Sequence, residues 1–168
     1  MRIIYGLLLS CLFSFSPCMA QSSQRGPSTP DERNRAVQVA RKLQADPLSP
    51  DVQADREWLI KWLIEIPDIS VKLCPNVLGD LGDSKSGKPG ALIATMLASE
   101  TAFVIENPSK SKDLEAIYMA GLEGSLNAYQ ALRKADAQYH VKHLDDLLST
   151  QEQGKLPQYI KDVKKKCK

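Results

Sequence analysis

Aromatic residues are scarce, at 6% of 168 positions, and the chain has only two histidines. No segment alternates apolar and polar residues with a period of two, so no strand is expected. No apolar run approaches the ~20 residues that a membrane-spanning helix needs. The sequence lacks HExxH, GxSxG, a Gly-rich phosphate loop on a strand and a Cys/His nucleophile pair. Those absences remove the common hydrolase, nucleotide-binding and metalloprotease readings. Charge of one sign is also lacking: 22 basic residues stand against 20 acidic ones. A dedicated nucleic-acid binder would carry a broad basic excess, so nucleic acid is not an expected partner.

What is present begins at the N-terminus. MRIIYGLLLSCLFSFSPCMA places Arg2 before an apolar run from Ile3 to Phe15, then Pro17 and the small residue Ala20. A charged start, a short apolar middle and a small-residue exit describe a secretory signal. Residues 1–20 are therefore read as a signal peptide, 21–28 (QSSQRGPS) as a disordered N-terminal segment and 29–168 as a single helical domain. The expected location is periplasmic or secreted, with no transmembrane segment after cleavage. A second reading acylates Cys11, because Leu8-Leu9-Ser10-Cys11 loosely resembles a lipoprotein cleavage box. Cys11 comes so early that soluble export is the expectation.

Of four cysteines, Cys11 and Cys18 leave with the leader, and Cys74 and Cys167 remain. An even count outside the cytoplasm predicts one disulfide, Cys74–Cys167.

Thr29-Pro30-Asp31-Glu32 has the form of a helix opening: a capping Thr, Pro at the first helical position and Glu three residues after the cap. Ala36, Val39, Ala40 and Leu43 follow on one face, and Pro47 ends the helix. Ser49-Pro50 repeats the device before the stripe Val52, Leu59, Trp62, Leu63 and Ile66. Trp58, Ile60 and Ile64 widen that stripe, which predicts cover on more than one side. A short helix is expected near Pro75, with Cys74, Val77, Leu78 and Leu81 in register, then a loop over Gly79–Gly90. Ala91–Ile105 reads as a central core helix, Lys112–Lys134 as the longest helix and Gln138–Gln151 as the next. The last carries Leu156, Tyr159, Ile160, Val163 and Cys167 on one stripe. The fold class is all-α, a compact bundle of six to seven short helices.

Four groups of residues stand out as candidates for function. Ala94, Ala98 and Ala102 recur every four residues, as do Ala116, Ala120, Gly124 and Ala128. Gly121 and Gly124 each cost about 1 kcal/mol against Ala in a helix interior. Either two helices cross closely there or the glycines form a contact surface for a ligand or partner. Glu100 sits among apolar residues, and Glu123 on the next helix would complete an acid/base or metal pair if the two faced each other. His140 and His143 share a helix face with Asp146 one turn on, a two- or three-ligand set for Zn²⁺ or Cu²⁺ without a closing fourth. The end of the chain, from Lys155 to Lys168, carries six Lys and one acid, Asp162. Lys in a last helical turn complements the helix dipole.

No catalytic set or cofactor is expected from these groups. The residues point to an exported, non-enzymatic protein that binds a protein partner in the bacterial envelope or exterior. The profile — exported, small, helical, one disulfide — broadly resembles periplasmic immunity proteins, which implies a toxin-inhibitor role as one alternative. The other alternative is a small metal-binding or acid/base enzyme using Glu100/Glu123 or His140/His143.

Overall fold

The computed structural model describes residues 25–81 and 88–167. The signal-peptide reading of residues 1–20, the acylation of Cys11 and the centre of the Gly79–Gly90 loop lie outside the described residues. Among the described residues, six α-helices and two short 3-10 turns make up the regular structure and no strand occurs. The helices are α1 (Pro30–Ala45), α2 (Pro50–Glu65), α3 (Lys88–Glu106), α4 (Leu114–Ala135), α5 (Lys142–Glu152) and α6 (Leu156–Lys164). The fold is a compact all-α bundle.

Helix α1 starts as its sequence dictates. The Thr29 side chain accepts from the Glu32 backbone N–H, and the Glu32 carboxylate accepts from Thr29 N–H. Two donors that the first turn leaves unpaired are thereby satisfied. Ser49 occupies the same position before α2 but makes no side-chain cap bond. Residues 25–28, expected to be part of a disordered start, are instead fastened down. Ser28 donates from its N–H and its hydroxyl to Asp68, and Arg25 pairs with Glu32 and Glu65. Asp68 lies after α2, a partner that the local sequence could not show.

α3 is the hub. Twelve of its 19 residues are buried, and it packs between α1 and α4. The Ser125 hydroxyl of α4 donates to the Leu92 carbonyl of α3 at 3.1 Å. α2 covers α1, while α5 and α6 close over α4. The core has two parts. Leu43, Leu59, Trp62, Ala98 and Ile117 fill one, and Leu92, Met96, Leu122, Leu126, Tyr129, Leu144 and Ile160 fill the other. Among the described residues no helix is long and apolar enough to cross a membrane.

Three expectations need correction. The helix expected near Pro75 is a single 3-10 turn, Pro75–Val77. Gly79 ends it at φ +63°, a left-handed conformation that glycine adopts without steric cost. α5 begins at Lys142, not Gln138, because Asp136 holds residues 136–139 in a turn. Its carboxylate accepts from Gln138 N–H and its carbonyl from Tyr139 N–H. The outer stripe of α2 is not covered: Ile60 is 41% exposed and Ile64 80%.

Candidate functional site

The two small-residue ridges meet as an α3–α4 crossing. Gly121 lies under the side chains of Glu100 and Met96, and Gly124 lies under Ser99. Both glycines are buried, and Gly124 also lines a cleft between α1, α3 and α4. A Cβ at Gly121 would stand 2.8 Å from Glu100 Cγ and 2.9 Å from Met96 Cγ. One at Gly124 would run into Ser99 Oγ and stand 2.6 Å from Ser99 Cβ. Flexible side chains can yield at the first position, but the second contact is fixed to the α3 backbone. We expect Gly121→Ala to cost about 1 kcal/mol and Gly124→Ala about 2–3 kcal/mol, the usual range for overpacking. Urea denaturation reads both, and Ser99→Gly should recover most of the Gly124→Ala loss. Equal stability of Gly124→Ala and wild type would remove the close crossing.

Glu100 itself has no exposed surface, and neither carboxylate oxygen has a hydrogen-bond partner among the described residues. Burial pushes its pKa up to about 8. The phenol of Tyr118 is also raised, first by its own burial and then by the Glu100 charge. Glu123 does not complete a pair with Glu100. It is exposed and lines a different cleft with Arg41, Gln44, Ser99 and Gly124. At 100° per residue, Glu123 points roughly 200° away from Gly121, which faces Glu100. In that cleft Asn127 donates to Gln44, and Gln44 to Ser99, at 3.2 and 3.0 Å. Arg41 is paired with Glu106.

The histidines hold different neighbours. His140 Nδ1 lies 3.2 Å from Asp145 Oδ2. Partial burial pushes the Asp145 carboxyl up, but hydrogen bonds from Tyr129 and His140, with Arg133 beside it, leave it below its ordinary value. The His143 ring sits over Gly79, where a Cβ would collide with it, and its Nε2 lies 3.2 Å from the Tyr159 hydroxyl. Tyr159 donates in turn to the Val77 carbonyl. Asp146 is paired with Lys142. His140, His143 and Asp146 therefore do not converge. Among the described residues no three His, Cys, Asp or Glu side chains are placed to hold a metal ion.

The feature that sequence reasoning missed is an apolar groove of about 410 Å³. Ile60, Leu63 and Ile64 of α2 form one wall. The segment after α2, through Ile66, Ile69 and Val71, forms the floor, and Leu97 of α3 closes the far side. None of its nine lining residues is charged, and only Ser70 is polar. Two helical stripes run along α2. Leu59, Trp62 and Ile66 turn inward, leaving Ile60 and Ile64 outside. The signal was present in the sequence as an apolar face too wide for one side of a helix.

The Cys74 and Cys167 sulfurs stand at disulfide distance, with Cα atoms 5.6 Å apart. The pair ties the residues after α6 to the turn at Pro75. No family model, curated protein or solved structure matches this chain.

Proposed function

We propose that the protein is an exported binding protein that engages a protein partner through the apolar groove of α2. One observation carries this reading: Ile64, 80% exposed, stands at the lip of an uncharged groove together with Ile60. Contiguous exposed apolar surface is a common mark of an interaction site. Large apolar anchors in desolvated pockets supply most of the binding energy at such sites. Export is supported by the leader-like first 20 residues and by a cysteine pair at bonding distance, which an oxidising compartment would keep closed. No chemistry is assigned, because Glu100 and Glu123 face apart and each histidine holds its own partner.

A photo-crosslinking residue at position 64 tests the reading in the native envelope. One discrete adduct is expected, absent when the same probe replaces Asp51 on the far end of α2. Ile64→Asp should change stability by no more than about 0.5 kcal/mol, as an exposed position predicts. Combined with a probe at Ser70, it should abolish the adduct formed there. An adduct that survives Ile64→Asp would sink the proposal. An adduct of twice the chain's own mass would identify the partner as a second copy.

A further inference from the structure

We propose that a second groove, beside the Cys74–Cys167 pair, binds a small amphipathic anion: a carboxylate head on an apolar tail. This site is separate from the groove of α2. Its volume is about 550 Å³, within the range of small-molecule sites. Three stretches far apart in sequence build it: residues 72–76, Leu114 and Tyr118 at the start of α4, and Lys166–Cys167 after α6.

The lining has two chemistries. Leu73 (41% exposed), Pro75, Leu114 and the two sulfurs give an apolar wall. Lys72 and Lys166 supply two cations, with no acid among the nine lining residues. Neither ammonium group makes an ion pair or hydrogen bond at contact distance among the described residues, although Lys166 acts on the Asp162 carboxylate at longer range. Of the acids around these residues, Glu115 holds Lys164, Asp162 holds Lys165 and also acts on Lys166, and buried Glu100 acts on the Tyr118 phenol from inside the bundle. Tyr118 is buried, and its hydroxyl makes no hydrogen bond among the described residues, with the Lys164 ammonium and the Glu100 carboxyl acting on it at longer range. Two exposed ammonium groups and a phenol around an apolar wall complement one anionic head with a hydrocarbon attached. Charge-assisted bonds from Lys and Tyr would fix the head, and apolar burial would hold the tail at ~0.8 kcal/mol per methylene.

The backbone holds this lining in place. Asn76 Nδ2 donates to the Lys166 carbonyl at 3.3 Å, Lys166 N–H to Val163, and Cys167 N–H to Lys164. With the cysteine pair, these bonds place Lys166 on the same groove as Lys72, ninety-odd residues away.

Calorimetric titration of the mature chain with octanoate, below its micellar range, tests the proposal. One saturable site per chain is expected, with 1-octanol at least tenfold weaker. Lys72→Glu and Lys166→Glu should each weaken octanoate at least tenfold, and Lys166→Arg less than threefold. Both lysines are exposed, so the helical spectrum and melting of the variants should match wild type. Ile64→Asp should leave octanoate binding unchanged, which separates this site from the α2 groove. Equal affinity for octanoate and octanol, or octanoate binding that survives both Glu substitutions, would overturn it. Binding only to anionic phosphatidylglycerol vesicles, without saturable octanoate binding, would overturn it in favour of a membrane surface.

Discussion

Replacing Glu100 with Met should make the protein more stable at pH 7 by about 3 kcal/mol, and by more at pH 8. The wild-type carboxyl is fully buried and has no hydrogen-bond partner for either oxygen among the described residues, and burial raises its pKa from 4.5 to about 8. The sign follows from linkage. Below pH 4.5 both the folded and unfolded chains hold the proton, so Glu100 adds no pH dependence. Between 4.5 and 8 the unfolded chain has released its proton while the folded chain keeps it. Stability is therefore present in acid and is lost as pH rises through this window. Each pH step of one within the window removes about 1.36 kcal/mol, so the loss reaches about 3 kcal/mol at pH 7 and about 4–5 kcal/mol near pH 8. Met removes both the ionisation and the unpaired oxygens while keeping an unbranched chain over Gly121. Glu100→Gln should flatten the same pH dependence with a smaller gain, because a buried amide still lacks partners. The measurement is urea denaturation of wild type and both variants at pH 5, 6, 7 and 8. Parallel wild-type and variant curves across that range would show that Glu100 is not buried as a neutral acid.

The groups that pull the other way act elsewhere on the scale. Asp55 is held low by the Lys42 ammonium and the Arg35 guanidinium, against a smaller burial effect. Asp136 is held low by Lys88 and the Gln138 N–H. Depressed carboxylates contribute stability above their unfolded pKa that is lost only as pH falls through the folded value. They shape the acid limb below about pH 4, outside the 4.5–8 window in which Glu100 acts.

Local chemistry explains which parts of the fold were legible. The Thr29–Glu32 box could be read because all its partners lie within four residues. The same holds for the Ala94 and Gly124 ridges, whose spacing depends only on helix period. The faces were harder. On α2, Leu59–Trp62–Ile66 and Ile60–Ile64 both have helical spacing, and only the placement of α1 and α3 decides which one is buried. Glu100 and Glu123 each invite a pairing, but the α3–α4 register sets Gly121 opposite Glu100 and turns Glu123 to solvent. The histidine face dissolved for the same reason. His143 reaches back to Gly79 and forward to Tyr159, both distant in sequence, while His140 stays with nearby Asp145. The groove beside the cysteine pair is assembled from three separate stretches, so no single window of sequence contains it; the α2 groove draws eight of its nine lining residues from 60–71, and only the closing wall, Leu97, is distant. The cysteine pairing, by contrast, needed only counting once two of the four were assigned to the leader.

That pairing yields the other large effect: in a chain expressed without residues 1–20, Cys167→Ser should lower the stability by about 2–5 kcal/mol. The two cysteines lie 93 residues apart, so the bond closes most of the described domain into one loop. In the chain-entropy model a loop of that size restricts the unfolded chain by roughly 4–5 kcal/mol, a large share of the stability of a domain this size. The fold itself should survive. Leu156, Ile160 and Val163 remain buried on α4, Tyr159 still donates to Val77, and Lys164 still pairs with Glu115. The loss should therefore appear as a lower denaturation midpoint, with faster amide exchange concentrated from Lys165 onward, where backbone bonds to Val163 and Lys164, the Lys165–Asp162 pair and the Asn76 bond hold the chain. Because Lys166 reaches its groove through this tether, the same variant should also weaken octanoate. Thiol titration of the unfolded, unreduced chain makes the decision independent of stability. No free thiol per chain is expected, and two would show that the cysteines approach without bonding.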